Sequence, residues 1–146
     1  MFAAYRNPAR AYAGVAMETS VAAAYPVDLV VLLYEGAMEG IVKAIAHMRE
    51  RDFAAKGKAI THVIRIIDEG LRASLDERGG DLTNQLGDLY SYMTVRLLQG
   101  SLKNDPEALT EVRNLLLDLK GAWDELARNT HAGTQAVQAA TARMQA

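Results

Sequence analysis

The chain has 146 residues, half of them apolar and 23% charged, with 16 basic and 18 acidic side chains giving a formal charge of −2. Such a composition supports one globular domain with a real core, and it supplies no positive field to gather phosphates, which disfavours a nucleic-acid partner. Cysteine is absent, so a disulfide framework and a cysteine-rich zinc site are excluded, and a reducing, cytoplasmic setting is expected.

Residues 1–24 read as an N-terminal arm. Phe2, Tyr5, Tyr12, Val15, Met17 and Val21 follow no sustained period, and Pro8 and Gly14 oppose one continuous helix. No basic stretch followed by an apolar one marks a secretory signal. Residues 25–130 carry four amphipathic helical patterns. The first runs from about Pro26 to Glu50, with Val30, Leu33, Ala37, Ile41, Ala44 and Met48 on one stripe. Pro26 suits a first-turn position, and Asp28 lies near the positive end of the helix dipole. The apolar run from Leu29 to Tyr34 is bounded by Asp28 and Glu35 and falls far short of the ~18 residues of a membrane span, so no membrane insertion is expected.

Arg51-Asp52 makes a tight break with Asp52 as N-cap, and Ile60, Ile64, Ile67, Leu71 and Leu75 form the second stripe. Gly79-Gly80-Asp81 is suited to end helix two in a left-handed conformation and to cap helix three, whose stripe is Leu82, Leu86, Leu89, Met93 and Leu97. Asn104-Asp105-Pro106-Glu107 combines a cap, a first-turn proline and an acid, and starts helix four. There Leu109, Val112, Leu116, Leu119, Trp123 and Leu126 are spaced 3, 4, 3, 4 and 3, the seam of helices crossing at about +20°. Short connections between four such helices predict an all-α, antiparallel four-helix bundle. Residues 131–146, rich in Ala, Gln and Thr, form a tail that is either weakly structured or a short C-terminal helix.

More apolar residues are present than one core can face. Leu29, Leu32, Val63 and Leu115 each fit a widened core stripe when taken singly; together with Ile66 they point to a groove for a partner. Six tyrosines outnumber the one Trp and two Phe, and tyrosine collects at half-wet boundaries because its hydroxyl needs a partner. Tyr34 and Tyr90 read either as core-edge residues or as partner contacts. Tyr92 cannot face the same way as Tyr90, and Tyr5 and Tyr12 belong to no stripe, leaving them to docking or disorder.

Enzyme chemistry has no foothold in the pattern. A di-iron bundle needs Glu-x-x-His pairs, but Ala44, Ala59 and Arg128 stand three before His47, His62 and His131. The usual nucleophile and phosphate-loop motifs are missing, and no metal or other cofactor is expected. Glu35, Glu39, Arg49, Glu50, Arg51, Lys56 and Lys58 read as solvated faces.

The order of these features resembles the FliS family of flagellar secretion chaperones, from about Tyr12 to Trp123. Pro26-Val27-Asp28-Leu29-Val30-Val31-Leu32-Leu33-Tyr34-Glu35-Gly36-Ala37 is similar to that family's Pro-x-x-Leu-Ile-x-x-Leu-Tyr-Asp-Gly-Ala, with Glu35 in place of Asp. Leu71, Leu75-Asp76, Gly79-Gly80 and Leu86-Gly87-Asp88-Leu89-Tyr90-Ser91-Tyr92-Met93 resemble its L-x-x-x-L-D, Gly-Gly and Leu-Tyr-x-Tyr run. Asp105, Leu109, Glu111-Val112, Leu115-Leu116 and Ala122-Trp123 match its last long helix. Tyr25 departs from the capping Ser often found before the proline.

The resemblance implies a non-enzymatic chaperone that binds the disordered C-terminal segment of flagellin one-to-one, prevents premature polymerisation and aids delivery to the export apparatus, with contact to the export gate as a further expectation. Tyr12, Val15 and Met17 resemble the tyrosine-bearing arm that in the family lies over the substrate surface. The partner contacts expected are therefore Tyr5, Tyr12, Val15, Met17, Leu29, Leu32, Tyr34, Val63, Ile66, Tyr90, Tyr92 and Leu115. The alternative is a helical adaptor for another export or regulatory partner using the same groove. Exposed groove surface would also permit a weak homodimer.

Overall fold

Four runs of apolar residues spaced by three and four become four helices in the computed structural model, which describes residues 26–76 and 79–145. The arm expected over residues 1–24 lies outside the described residues. Helix α1 (Val27–Arg49) starts directly after Pro26, which stands at the capping position with extended backbone (φ −67°, ψ 156°) and offers no side-chain cap. Asp28 in the first turn places a negative charge near the positive end of the helix dipole. The turn out of α1 is made by Arg51 in the left-handed region, φ 62°. Asp52 then caps α2 (Phe53–Arg65), its carboxylate accepting the Ala55 N–H at 3.1 Å.

Past Arg65 the plain helix expected through Leu75 gives way to a π-turn, Ile66–Leu71, and a 3₁₀ turn, Arg72–Ser74. The wider turn keeps Ile67 and Leu71 in the core while setting Gly70 against Leu33; a Cβ on residue 70 would stand 3.1 Å from a Leu33 methyl. Gly80 takes the positive φ, 60°, that glycine allows. It occupies the capping position of α3 (Asp81–Lys103), so Asp81, expected as the cap, is the first helical residue and acts on the dipole. Asn104 closes α3 in the left-handed region. Asp105 accepts the Glu107 N–H at 3.0 Å, and Pro106 opens α4 (Pro106–Gln145). The tail of residues 131–146 is thus no separate helix: α4 runs through it to Gln145 without a break.

In the bundle α1 packs against α2 and α4, and α3 packs against α2 and α4. Ion pairs fix the antiparallel register of α1 and α4: Lys120 Nζ lies 3.6 Å from Glu35, and His131 Nε2 3.1 Å from Asp28 Oδ1. The helix-four stripe is buried as expected, from Leu109 to Leu126.

In α1 and α3 the buried sets are Val30, Tyr34, Ala37, Ile41, Ala44 and Met48, and Leu86, Tyr90, Met93 and Leu97, while Leu33, Leu82 and Leu89 are only partly buried. The tyrosines fill the 3–4 seam because their hydroxyls satisfy each other. Tyr34 and Tyr90, on diagonally opposed helices, meet at 2.6 Å in the core, and the Trp123 ring packs 6.4 Å from Tyr34, tilted by 36°. Burial pushes the Tyr34 hydroxyl far above its ordinary pKa, against the opposing pull of the contacts with Tyr90 and Trp123.

Lys56, expected on a solvated face, is only 8% exposed. Its ammonium donates to the Ser101 carbonyl at 2.8 Å and to Asn104 Oδ1 at 2.7 Å, and lies 5.2 Å from the centre of the Phe53 ring. A cation from α2 thereby satisfies the carbonyl end of α3, where the dipole is negative.

Candidate partner-binding surface

The first turns of α1 and the π-turn of α2 border an apolar trough of about 520 Å³, lined by Leu29, Leu33, His62, Arg65, Ile66, Glu69 and Gly70. Its floor follows from the backbone. Gly70 lies tight against Leu33, where a Cβ would stand 3.1 Å from a methyl, whereas a Cβ at Gly36 would make only an ordinary contact with Ile66 Cδ1 at 3.5 Å. Leu29 is 39% exposed, and Leu32, on the adjoining outward face of α1, is 61% exposed. Arg65 and Glu69 pair across one turn, Nε to Oε2 at 3.3 Å, and make the rim polar. An apolar floor with a charged rim suits an amphipathic segment laid along it.

The trough gathers Leu29 and Ile66 among the expected contact residues, with Leu32 beside it. Tyr34, Val63 and Tyr90 do not belong to this surface: all three are fully buried. Val63 packs where α2 crosses Gly40, at which a Cβ would stand 2.5 Å from Val63 Cγ2, and the two tyrosines are spent on each other, so these residues support the surface from behind. Leu115 is half-buried and packs on the core from α4, away from the trough. Tyr92 is exposed on the face shared by α3 and α4, where its hydroxyl donates to Glu111 Oε2 and Arg96 Nε donates to Glu111 Oε1 at 3.0 Å. The Tyr92 hydroxyl, and after it the Arg96 guanidinium, hold the Glu111 carboxyl below its usual range. Tyr5, Tyr12, Val15 and Met17 lie outside the described residues.

Sequence reasoning missed Leu33, which it assigned to the core, and Gly70, whose part depends on the π-turn. It also missed an outward stripe on α3, Val95, Leu98 and Leu102, all exposed; their spacing of three and four was the available signal. A second hollow, about 610 Å³ between the end of helix two and the start of α3, is lined by Arg72, Leu75, Thr83, Asn84, Gly87 and Asp88. Arg72 is committed there, donating to the Gly87 carbonyl at 3.3 Å and to Ser91 Oγ at 2.7 Å.

Among the described residues no group of three His, Asp or Glu side chains is placed to hold a metal ion. Among the same residues no helix is long and apolar enough to cross a membrane. A helical bundle with an apolar trough on its surface has the architecture expected of a helical chaperone or adaptor. The family described as "Flagellar protein FliS" matches residues 8–130. Salmonella typhimurium flagellar secretion chaperone FliS is 42% identical over 118 residues, covering 80% of this chain and 87% of that protein. The Escherichia coli chaperone of the same name is 41% identical, over 80% of this chain and 86% of its own. Pseudomonas aeruginosa flagellar secretion chaperone FliSB is 41% identical, over 77% and 90%. This chain belongs to the FliS family, a family of chaperones and not of enzymes.

Proposed function

We propose that this protein is a cytoplasmic export chaperone that holds the C-terminal segment of flagellin before filament assembly, prevents its premature polymerisation and aids its delivery to the flagellar export apparatus. The observation that carries this reading is the trough between α1 and the π-turn of α2, with Leu29 and Leu32 turned outward beside it. A segment that is disordered before assembly and apolar on one side would associate with its own kind. Laid in the trough it buries that side, at the entropic cost of ordering. Contacts with the export gate would be made by surfaces the cargo leaves free.

Titrating a fluorescent peptide from the C-terminal region of the organism's own flagellin tests the site. Leu32→Asp, which removes apolar contact area and adds a charge, is expected to weaken binding by about tenfold or more, the equivalent of about 1.4 kcal/mol. Val42→Asp, at a position also exposed (50%) but on the opposite flank of α1, leaves affinity unchanged. Equal affinities for Leu32→Asp and the unaltered protein would remove the trough from the binding site.

A further inference from the structure

A net charge of −2 conceals a separation of charge along the bundle. The end of α1 and the start of α2 meet at the Arg51 turn. Lys56, reaching Ser101 and Asn104, ties the start of α2 to the end of α3, and Gly100 against Ala108 and Leu109 ties the end of α3 to the start of α4. Five basic side chains collect at this pole. Arg49 ends α1, Arg51 stands in the turn, Lys58 follows on α2, Lys103 ends α3, and Arg113 lies two turns into α4. Among the described residues none of the five joins an ion pair, and the enclosed Arg113 Nε has no acceptor.

The acids of the same pole are spent locally. Asp52 accepts the Ala55 N–H and Asp105 the Glu107 N–H, at the starts of α2 and α4. Glu111 holds Tyr92 and Arg96, Glu50 lies 4.0 Å from His47, and Glu107 sits on the dipole of α4 in its first turn. Apolar side chains stand among the cations. Leu102 is 84% and Phe53 46% exposed, and Phe53 already lies 5.2 Å from the Lys56 ammonium. Uncommitted cations around exposed large apolar groups are the composition of a binding surface for a chain of opposite charge.

We propose that this pole docks an acidic segment of a partner protein, one that presents apolar side chains among its carboxylates. A second copy of the chain does not fit, because a two-fold contact through the pole sets the five cations against their own kind. A phosphate backbone does not fit either, since it leaves Leu102 and Phe53 uncovered. The pole stands apart from the trough: Leu33 and Arg49 are 16 residues apart on α1, about 24 Å at 1.5 Å per residue. Both surfaces can therefore be occupied at once, and the pole does not depend on what the trough binds.

Fluorescence anisotropy of the full-length protein tests this with a labelled synthetic peptide in which glutamates flank a Leu and Phe stripe at helical spacing. Three further probes accompany it: the same peptide with Lys for Glu, a peptide with Ser for its apolar residues, and a single-stranded oligonucleotide of equal charge. The first peptide is expected to bind most tightly, with affinity that falls as salt rises. Lys58→Glu combined with Lys103→Glu weakens it by about tenfold or more. Leu102→Gln, at a solvated position that the fold does not use, weakens it several-fold, and Leu32→Asp at the trough leaves it unchanged. Circular dichroism confirms that each variant is helical. No binding of the first peptide, equal affinity for the charge-reversed variant, or loss through Leu32→Asp would overturn the proposal. Binding of the oligonucleotide or of the Ser peptide as tightly as the first would mark a surface that gathers charge alone, and would overturn it as well.

Discussion

Tyr34 and Tyr90 stand 56 positions apart and share a 2.6 Å hydrogen bond in the core. Each hydroxyl is a hydrogen-bond partner of the other there, and losing a partner of a buried hydroxyl costs on the order of 1 kcal/mol, up to about 3 where none remains. Tyr34→Phe and Tyr90→Phe are therefore each expected to destabilise the fold by about that amount. The double Phe variant should lose less than the two singles added together, since neither hydroxyl is then stranded. Urea unfolding of the four proteins measures the coupling, and strict additivity would contradict it.

No local signal could have paired these rings. Taken singly, a tyrosine in an apolar stripe suits the core edge or an interface equally well, and only the diagonal meeting of α1 with α3 decides between them. The same holds for Lys56, whose neighbours in sequence look solvated while its partners, Ser101 and Asn104, come from the far end of another helix.

At the scale of elements, starts and stops were the legible part. Asp52 caps α2, Pro106 opens α4, and Gly80 takes a positive φ, as the local chemistry of those residues dictates. The π-turn was not legible, because its apolar positions also satisfy a plain helix; with it went the roles of Gly70 and Leu33, half the floor of the trough. Leu29 and Ile66 could be read from the excess of apolar residues alone.

Between α3 and α4, Glu111 receives Tyr92 and Arg96, and its carboxyl titrates below the ordinary value of 4.5 in the folded state. A depressed folded value means stabilisation that is present above the unfolded pKa and is lost as the pH falls through the folded one. Glu111→Gln is accordingly expected to lower the melting temperature modestly at pH 7, with the gap to the unaltered protein closing as the pH drops below about 4.5. A gap independent of pH would show that the carboxylate's charge plays no part in this contact.

For the whole molecule, four periodic segments with short connections were enough to specify an antiparallel bundle, and the buried stripe of α4 was read residue by residue. Its continuation to Gln145 was obscured because Ala, Gln and Thr fix no partner by themselves. Under the proposed function, a cargo segment laid in the trough beside the π-turn would bear most of the ordering entropy itself.

Calorimetry at several temperatures, with the full-length protein and a peptide from the C-terminal region of its own organism's flagellin, tests the central claim most directly. One-to-one binding with a clearly negative heat-capacity change, lost in Leu32→Asp, is the predicted result, because it marks apolar burial in the trough coupled to ordering of the peptide. No heat of binding at tens of micromolar, from protein shown to be helical by circular dichroism, would contradict it and reassign the trough to a different partner.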